Sequence, residues 1–160
     1  MCSSDLIRRF KPRPADAADG TWRMAQVDAE RVQEFRKCIE CFLCQDVCHV
    51  LRDHQEFRFG GPRFMIRVAS LEMHPLDTLN RMKLLKDDLN IGFCNITKCC
   101  TEVCPEHIKI TDNGIIPLKE RVVDEFYDPL MWLWRKLFGP RKERATLKEL
   151  PVVSQTASKV

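Results

Sequence analysis

Apolar side chains recur at helical spacing along most of the chain, and prolines divide this pattern into segments. Proline suits the first turn of a helix, and the residue before a proline avoids the helical region. Pro62 and Pro75 therefore bound one predicted helix. Its apolar stripe, which we expect to be buried, contains Phe64, Met65, Val68 and Leu71.

The same pattern predicts three further helices. Asp28 is the expected N-cap of a helix that extends to about Lys37, Thr78 caps a second, and Pro117 begins a third. Asn113-Gly114, before the third helix, is a predicted turn. The expected buried stripes are Val32, Phe35 and Ile39 in the first helix, Leu79, Met82, Leu85 and Leu89 in the second, and Ile115, Leu118, Val122 and Phe126 in the third.

A last apolar helix follows Asp128-Pro129 and leads into basic residues. Two interpretations remain open: the helix caps the core of its own domain, or it lies on an anionic membrane surface or in a groove of a partner. No apolar run approaches the ~20 residues that a membrane-spanning helix needs, so we expect any membrane contact to be peripheral or through a partner. The residues in question are Leu130, Leu133, Trp134 and Leu137.

Length and composition indicate one all-α domain. The chain has 160 residues, 44% of them hydrophobic and only six of them glycine, and β-branched alternation is scarce. The formal net charge of +3 does not indicate a nucleic-acid partner. We predict an extended linker at 1–26, an α-helical domain at 27–139, and a basic and polar tail at 140–160 that ends in disorder.

Eight of the nine cysteines lie in two short runs, and the first has the spacing C-x2-C-x2-C-x3-C. This spacing is typical of bacterial two-cluster ferredoxins, in which the fourth cysteine binds the other cluster. We therefore expect Cys38, Cys41 and Cys44 to hold one iron–sulfur cluster, while Cys48 reaches a neighbouring one. Tight C-x2-C repeats without a visible signal peptide also place the chain in a reducing compartment.

The second run, which extends from Cys94 to Pro105, fits the same template with one change. Thr97 occupies the second ligand position, and a hydroxyl is a poor iron ligand beside thiolate. A cluster with three thiolates is expected to lose one iron. If the two runs exchange their fourth ligands, a [4Fe-4S] cluster is predicted on Cys38, Cys41, Cys44 and Cys104. A [3Fe-4S] cluster is then predicted on Cys48, Cys94 and Cys100, with Thr97 at the vacant corner.

Cys99 lies outside this template. It is either a substitute ligand or a small buried side chain, and we favour the second because its neighbour Cys100 is the template ligand and Cys99 should point elsewhere. A zinc-stapled interaction module is a further alternative. Zinc sites use four ligands in C-x2-C pairs. In the first run a third cysteine follows the expected pair after two residues and a fourth follows after three more, so we favour zinc less.

These motifs identify a resemblance. The stretch from about Arg23 to Phe138 resembles the C-terminal helical half of the iron–sulfur subunit of succinate dehydrogenase and fumarate reductase. The motifs that carry it are the first cysteine run, the Gly61-Pro62-Arg63 helix start, and Cys94-x5-Cys100-x3-Cys104-Pro105. The family forms its [3Fe-4S] centre with the same missing ligand. The resemblance implies an α-helical ferredoxin-like domain with two cluster sites.

The resemblance also implies an electron relay. In the family, an FAD-containing flavoprotein oxidises succinate or reduces fumarate, and electrons pass through [2Fe-2S], [4Fe-4S] and [3Fe-4S] clusters to quinone at a membrane anchor. The expected location is the cytoplasmic face of the bacterial inner membrane, reached through partner subunits. The chain itself is expected to carry electrons as a subunit of the enzyme, without catalytic residues of its own.

The family's [2Fe-2S] domain precedes this region and uses the spacing C-x4-C-x2-C, which the sequence does not contain. The opening residues from Cys2 to Leu6 fit nothing downstream and match one reading frame of a sequencing adapter. We therefore expect the first residues to be foreign to the gene and the chain to be a fragment. The alternative is a separate polypeptide that carries the [2Fe-2S] cluster.

The sequence departs from the family at positions that face the quinone. His49 and Val50 stand where relatives have proline and then tryptophans, and Asn95 stands where relatives often have histidine. The quinone contacts therefore do not carry over, and His49 either replaces a polar contact or is a surface residue. The closest rival function is that of the two-cluster electron-transfer subunit of heterodisulfide reductase or of anaerobic glycerol-3-phosphate dehydrogenase. Those subunits carry two [4Fe-4S] clusters on two full runs, and Thr97 argues against them.

Overall fold

The structure is a computed structural model that describes residues 9–16, 18–53, 58–138 and 145–146. Within these ranges the fold is mostly helical, as predicted. The helices are α1 (Gln26–Arg36), α2 (Leu43–Asp46), α3 (His49–Asp53), α4 (Pro62–Glu72), π1 (Leu84–Asp88), a 3-10 turn (Ile91–Phe93), α5 (Cys99–Glu102), π2 (Ile110–Ile115), α6 (Ile116–Phe126) and α7 (Pro129–Phe138). The strands are β1 (Leu79–Asn80) and β2 (Ala145–Thr146), which pair in parallel.

Helix α4 lies at the centre of the core, with α1, α2 and π2 packed against it. It begins at Pro62 and ends before Pro75, as the prolines predicted. Of its predicted stripe, Met65 and Val68 are completely buried, Leu71 is buried, and Phe64 is partly buried. Burial of these side chains fixes the helix that α2 of the first cysteine run contacts directly and that the second run reaches through π2.

The predicted start of the first helix was three residues too late, because the N-cap is Ala25 and not Asp28. Helix α1 begins at Gln26, and Asp28 lies in its first turn. There the Asp28 carboxylate interacts favourably with the positive end of the helix dipole, but it does not cap the helix. Val32 and Phe35 are buried as predicted, but Ile39 is exposed. The chain has left the helix at residue 37, so the helical stripe no longer applies to Ile39.

Thr78 does not cap a helix, contrary to the prediction. Its hydroxyl donates to the Lys11 carbonyl at 3.0 Å, and residues 79–80 form β1. The following helix, π1, has no side-chain cap. The Asn80 Oδ1 accepts a bond from the Met82 N–H at 2.8 Å, which forms a local turn ahead of that helix. The apolar stripe is nevertheless buried at every predicted position, namely Leu79, Met82, Leu85 and Leu89.

The predicted turn at Asn113-Gly114 is helical instead, because residues 110–115 form π2, which continues into α6. A side chain at Gly114 would collide with the end of Ile66, so glycine lets π2 approach α4 closely. In α6 the stripe is buried at Ile115, Leu118 and Val122, whereas Phe126 is exposed.

The described part of the predicted linker is held against the domain by backbone and side-chain bonds. The Arg13 N–H donates to the Leu76 carbonyl at 2.9 Å. Arg81, which is fully buried, donates to the Arg9 carbonyl at 2.6 Å and to Asp77 Oδ2 at 2.5 Å. This segment is therefore part of the folded body, while residues 1–8 and 17, including Cys2, lie outside the described residues.

Helix α7 is not a cap of the core, so that interpretation is wrong. Its Leu130, Leu133, Trp134 and Leu137 are 74%, 45%, 60% and 68% exposed. In the predicted tail, residues 145–146 pair with β1 instead of being irregular, and residues 139–144 and 147–160 lie outside the described part. None of the helices in the described ranges combines the length and apolar character that a membrane span requires.

Candidate metal centres

The two cysteine runs adopt the same backbone conformation. Glu40 and Phe42 in the first run have φ values of 58° and 63°, and Ile96 and Lys98 have 61° and 64° at the same template positions of the second. A short helix follows in each run, at Leu43–Asp46 and at Cys99–Glu102. The match places Thr97 where the first run has Cys41.

These left-handed residues are strained, and strain of this kind collects at functional sites. A β-branched residue such as Ile96 rarely adopts positive φ, so its neighbours must impose the conformation. Backbone that alternates between right-handed and left-handed residues turns successive N–H groups toward one point, as in many anion and iron–sulfur sites. The backbone of both runs therefore fits a cluster that carries sulfide and thiolate charge.

The first site is formed by Cys38, Cys41, Cys44 and Cys104, which line one pocket of about 390 Å³ that is partly open to solvent. Three of these thiols come from the first run, and the fourth comes from the end of the second. Cys44 is buried and Cys41 is exposed. The remaining lining is largely apolar and includes Ile66, Ile108 and Ile110. The structure thus brings together the four residues that the sequence assigned to the [4Fe-4S] cluster.

The thiols of the first site are close enough to influence one another. Burial, and to a smaller extent the neighbouring thiols of Cys38, Cys100, Cys41 and Cys104, together raise the pKa of Cys44 to about 12. Thiolates in such a group repel each other unless a cation lies between them. Bound iron supplies that positive charge and holds coordinating thiols deprotonated.

The second site is formed by Cys48, Cys94, Cys99, Cys100 and Thr97, which line another pocket of about 310 Å³. Cys48 comes from the first run, so the exchange between runs holds in both directions. Burial is the main cause that raises the pKa of both Cys48 and Cys100. A hydrogen-bond contact of 3.5 Å between Cys100 Sγ and the Thr111 hydroxyl acts in the opposite direction on Cys100.

Cys99 does not point away from the second site, contrary to the prediction. It is half-buried, lines the pocket, and its Sγ lies 3.5 Å from the Thr97 hydroxyl. The Cys99 thiol also raises the pKa of Cys48 and of Cys100, ahead of Cys94 in both cases. The second site therefore contains four thiols, and the template identified three of them.

His49 and Asn95 form a polar pair at the second site, where the sequence had left His49 open between a polar contact and a surface position. Asn95 Nδ2 lies 2.5 Å from His49 Nε2, and an amide nitrogen donates, so Nε2 accepts. The other ring nitrogen, Nδ1, then carries the proton and faces the Thr97 hydroxyl at 3.5 Å. The signal was available in part, because these two residues are the positions at which the sequence departs from the family.

Side chains between the elements hold the two runs in place. Gln45, within α2, accepts a bond from the Arg63 N–H at 3.2 Å and donates to the Gly60 carbonyl at 3.0 Å, which ties the first run to the start of α4. In the second run, the Thr101 hydroxyl accepts from the Thr111 N–H at 3.1 Å, which ties α5 to π2. Both runs are therefore anchored to the helices of the core.

The two sites are neighbours. Helices α2 and α5 pack together, and Cys44 of the first site interacts electrostatically with Cys100 of the second. Among the described residues, no three His, Cys, Asp or Glu side chains are grouped as ligands of a single metal ion. A cluster requires its thiols to lie further apart than the ligands of a single ion, because each thiolate binds a different iron at the edge of the cage. The donor set, the backbone and the apolar lining fit such cages.

Comparison with known proteins points to the same cofactor. Residues 34–108 match the family model described as a 4Fe-4S dicluster domain. This match supports iron–sulfur clusters as the cofactor of the chain, and it covers both cysteine runs.

Two curated relatives are components of fumarate reductases. The chain is 30% identical over 128 residues to one subunit of the fumarate reductase (CoM/CoB) of Methanothermobacter marburgensis, covering 79% of this chain and 25% of that protein. It is 26% identical over 99 residues to the fumarate reductase iron-sulfur subunit of Haemophilus influenzae, covering 61% and 39%. The chain therefore spans less than half the length of either relative.

A solved structure is similar as well. A chain of the Mycobacterium smegmatis Sdh1 complex in the apo form is 61% identical, with a TM-score of 0.72. The similarity covers 80% of this chain and 54% of that one. Together, these comparisons confirm the resemblance that the two cysteine runs predicted.

Proposed function

We propose that this chain, a homologue of the iron–sulfur subunits of succinate dehydrogenase and fumarate reductase, carries electrons between a flavoprotein and membrane quinone. In this proposal a [4Fe-4S] cluster is held by Cys38, Cys41, Cys44 and Cys104. A [3Fe-4S] cluster is held by Cys48, Cys94 and Cys100, with Thr97 at the corner that lacks an iron.

One observation carries the proposal: each run contributes its last cysteine to the other run's pocket. Cys104 lines the pocket of the first run, and Cys48 lines the pocket of the second. Two independent zinc knuckles would keep their ligands within each run. An exchange instead places two cages next to each other, which is the arrangement of two-cluster ferredoxins and suits electron transfer between them.

The clusters supply the redox chemistry when bound, and the residues of the chain set the conditions for it. Apolar side chains on the inner side of the first site reduce its contact with water, which lowers the local dielectric and tunes the reduction potential. The exposed Cys41 marks the side of the first site that a donor domain can approach. His49 and Asn95 provide hydrogen-bonding groups at the second site, where electrons leave toward quinone.

The partners in this proposal are an FAD-containing flavoprotein, a [2Fe-2S] domain and a membrane anchor, and the location is the cytoplasmic face of the bacterial inner membrane. The exposed apolar side chains of α7 support peripheral association through a partner, since the domain itself does not cover them. Succinate or fumarate would be converted on the flavoprotein, and this chain would carry electrons only.

The experiment is anaerobic reconstitution of the chain with iron and sulfide, followed by metal analysis and EPR spectroscopy. We expect about seven iron atoms per chain, an EPR signal of an oxidised three-iron cluster before reductant is added, and a [4Fe-4S] signal after reduction. Colourless protein that binds zinc without acid-labile sulfide would refute the proposal. A signal that appears only after reduction would favour the rival class with two [4Fe-4S] clusters.

A further inference from the structure

The second site contains one more thiol than a three-iron cluster uses. Cys48, Cys94 and Cys100 account for the three ligands of the proposed cluster, and Cys99 lines the same pocket. Its Sγ lies 3.5 Å from the hydroxyl of Thr97, the residue at the vacant corner. The extra thiol is therefore next to the position from which an iron is missing.

Cys99 is also accessible to a new ligand without unfolding the site. It is half-buried, whereas Cys48 and Cys100 are buried. Cys99 is the first residue of α5, directly after the left-handed Lys98, so its side chain projects from the loop and not from the middle of a helix. The corresponding residue of the first run is Leu43, which does not line the first pocket. The feature thus belongs to the second site alone.

We propose that Cys99 is a reserve ligand that binds a fourth iron, so that the second site interconverts between three-iron and four-iron forms. This inference rests on the proposed function, because it assumes a cluster in the second site. The ligand class is a ferrous ion, and the required co-reactant is a one-electron reductant. The site would then respond to iron supply and to reducing conditions.

One electron first reduces the cluster from [3Fe-4S]+ to [3Fe-4S]0. Cys99 would then release its thiol proton to solvent and bind the added Fe2+ through its sulfur, so that [3Fe-4S]0 and Fe2+ together would give [4Fe-4S]2+. Reversal oxidises the cluster by one electron, releases Fe2+ and returns the proton to Cys99. A thiolate is the preferred iron ligand here, and the Thr97 hydroxyl is a poor one.

The test compares the full 160-residue chain with Cys99→Ala after identical reconstitution. Each sample is reduced with dithionite and given one equivalent of ferrous ion, and iron content and EPR signal are then measured. In the parent chain we expect the iron content of the reduced, desalted protein to rise from about seven to about eight atoms per chain, and this extra iron to be released when an added oxidant restores the three-iron signal. In Cys99→Ala we expect the iron content to stay at about seven atoms per chain, and the oxidant to restore the three-iron signal without release of iron.

Two controls separate the outcomes. Glu102→Gln alters an exposed residue of the same short helix and should convert like the parent chain. The [4Fe-4S] signal of the first site reports correct folding in every variant. Conversion of Cys99→Ala to the same extent as the parent would overturn the inference, and so would a parent chain that keeps three irons at the second site. Absence of clusters in the parent would instead refute the proposed function.

Discussion

The fully buried Arg81 is expected to be the most sensitive charged residue of the fold. Its side chain is 0% exposed, and the carboxylates of Asp77 and Glu72 beside it are 1% and 2% exposed. Arg81→Met keeps most of the side-chain volume but removes the charge. Breaking a buried ion pair leaves a partner charge uncompensated and costs roughly 3–5 kcal/mol.

The structure shows where this cost falls. Glu72 keeps a second cation, because Arg121 NH1 lies 3.8 Å from its Oε1. Asp77 keeps backbone donors, the Leu79 N–H at 3.0 Å and the Lys11 N–H at 3.3 Å, both on Oδ1. Its Oδ2 loses the bond to Arg81. We therefore expect the lower end of the range, about 3 kcal/mol, which corresponds to a decrease in Tm of about 10 °C.

The assay is urea unfolding followed by far-UV circular dichroism, with parent and variant in the same reconstituted state. Asp112→Asn is the matched control, since it breaks an ion pair to Lys98 in which both side chains are about half exposed and should cost about 1 kcal/mol or less. The double variant Arg81→Met/Asp77→Asn should recover part of the loss, because it removes the uncompensated charge while the amide oxygen still accepts the bonds from the Leu79 and Lys11 N–H groups. A single variant within about 1 kcal/mol of the parent would refute this reasoning.

Three further predictions concern the sites and their support. Cys104→Ser should abolish the [4Fe-4S] EPR signal while the three-iron signal remains; retention of both would contradict the exchange of ligands between runs. Thr97→Cys should give a four-iron cluster at the second site without added iron, and an unchanged three-iron spectrum would show that Thr97 is not at the vacant corner. Gly61→Ala should lower the free energy of unfolding by about 1–3 kcal/mol, because φ is +83° and the new Cβ would collide with the Gln45 amide. Gly92→Ala, which meets nothing within 4 Å, should change it far less, and equal urea midpoints for the two variants would contradict this account.

Sequence alone predicted the local features of the chain. The spacing of the cysteines and the threonine at position 97 indicate cluster sites. Ligands only a few residues apart are positioned by the short stretch of backbone between them, so their spacing can be read from the sequence. The stripe of Met65, Val68 and Leu71 in α4 was correct for a similar reason, since helical periodicity determines which side chains share a face. The two prolines also predicted the limits of this helix correctly, since it begins at Pro62 and ends before Pro75.

Tertiary structure decided the features that depend on contacts between distant segments. Thr78 does not cap a helix, because its hydroxyl donates to a segment 67 residues earlier in the chain. Residues 110–115 are helical instead of a turn because Gly114 lets them pack against α4. The direction of Cys99 is the decisive case: adjacent residues in a sequence can face the same pocket when a left-handed residue precedes them, and only the fold shows which way the thiol points.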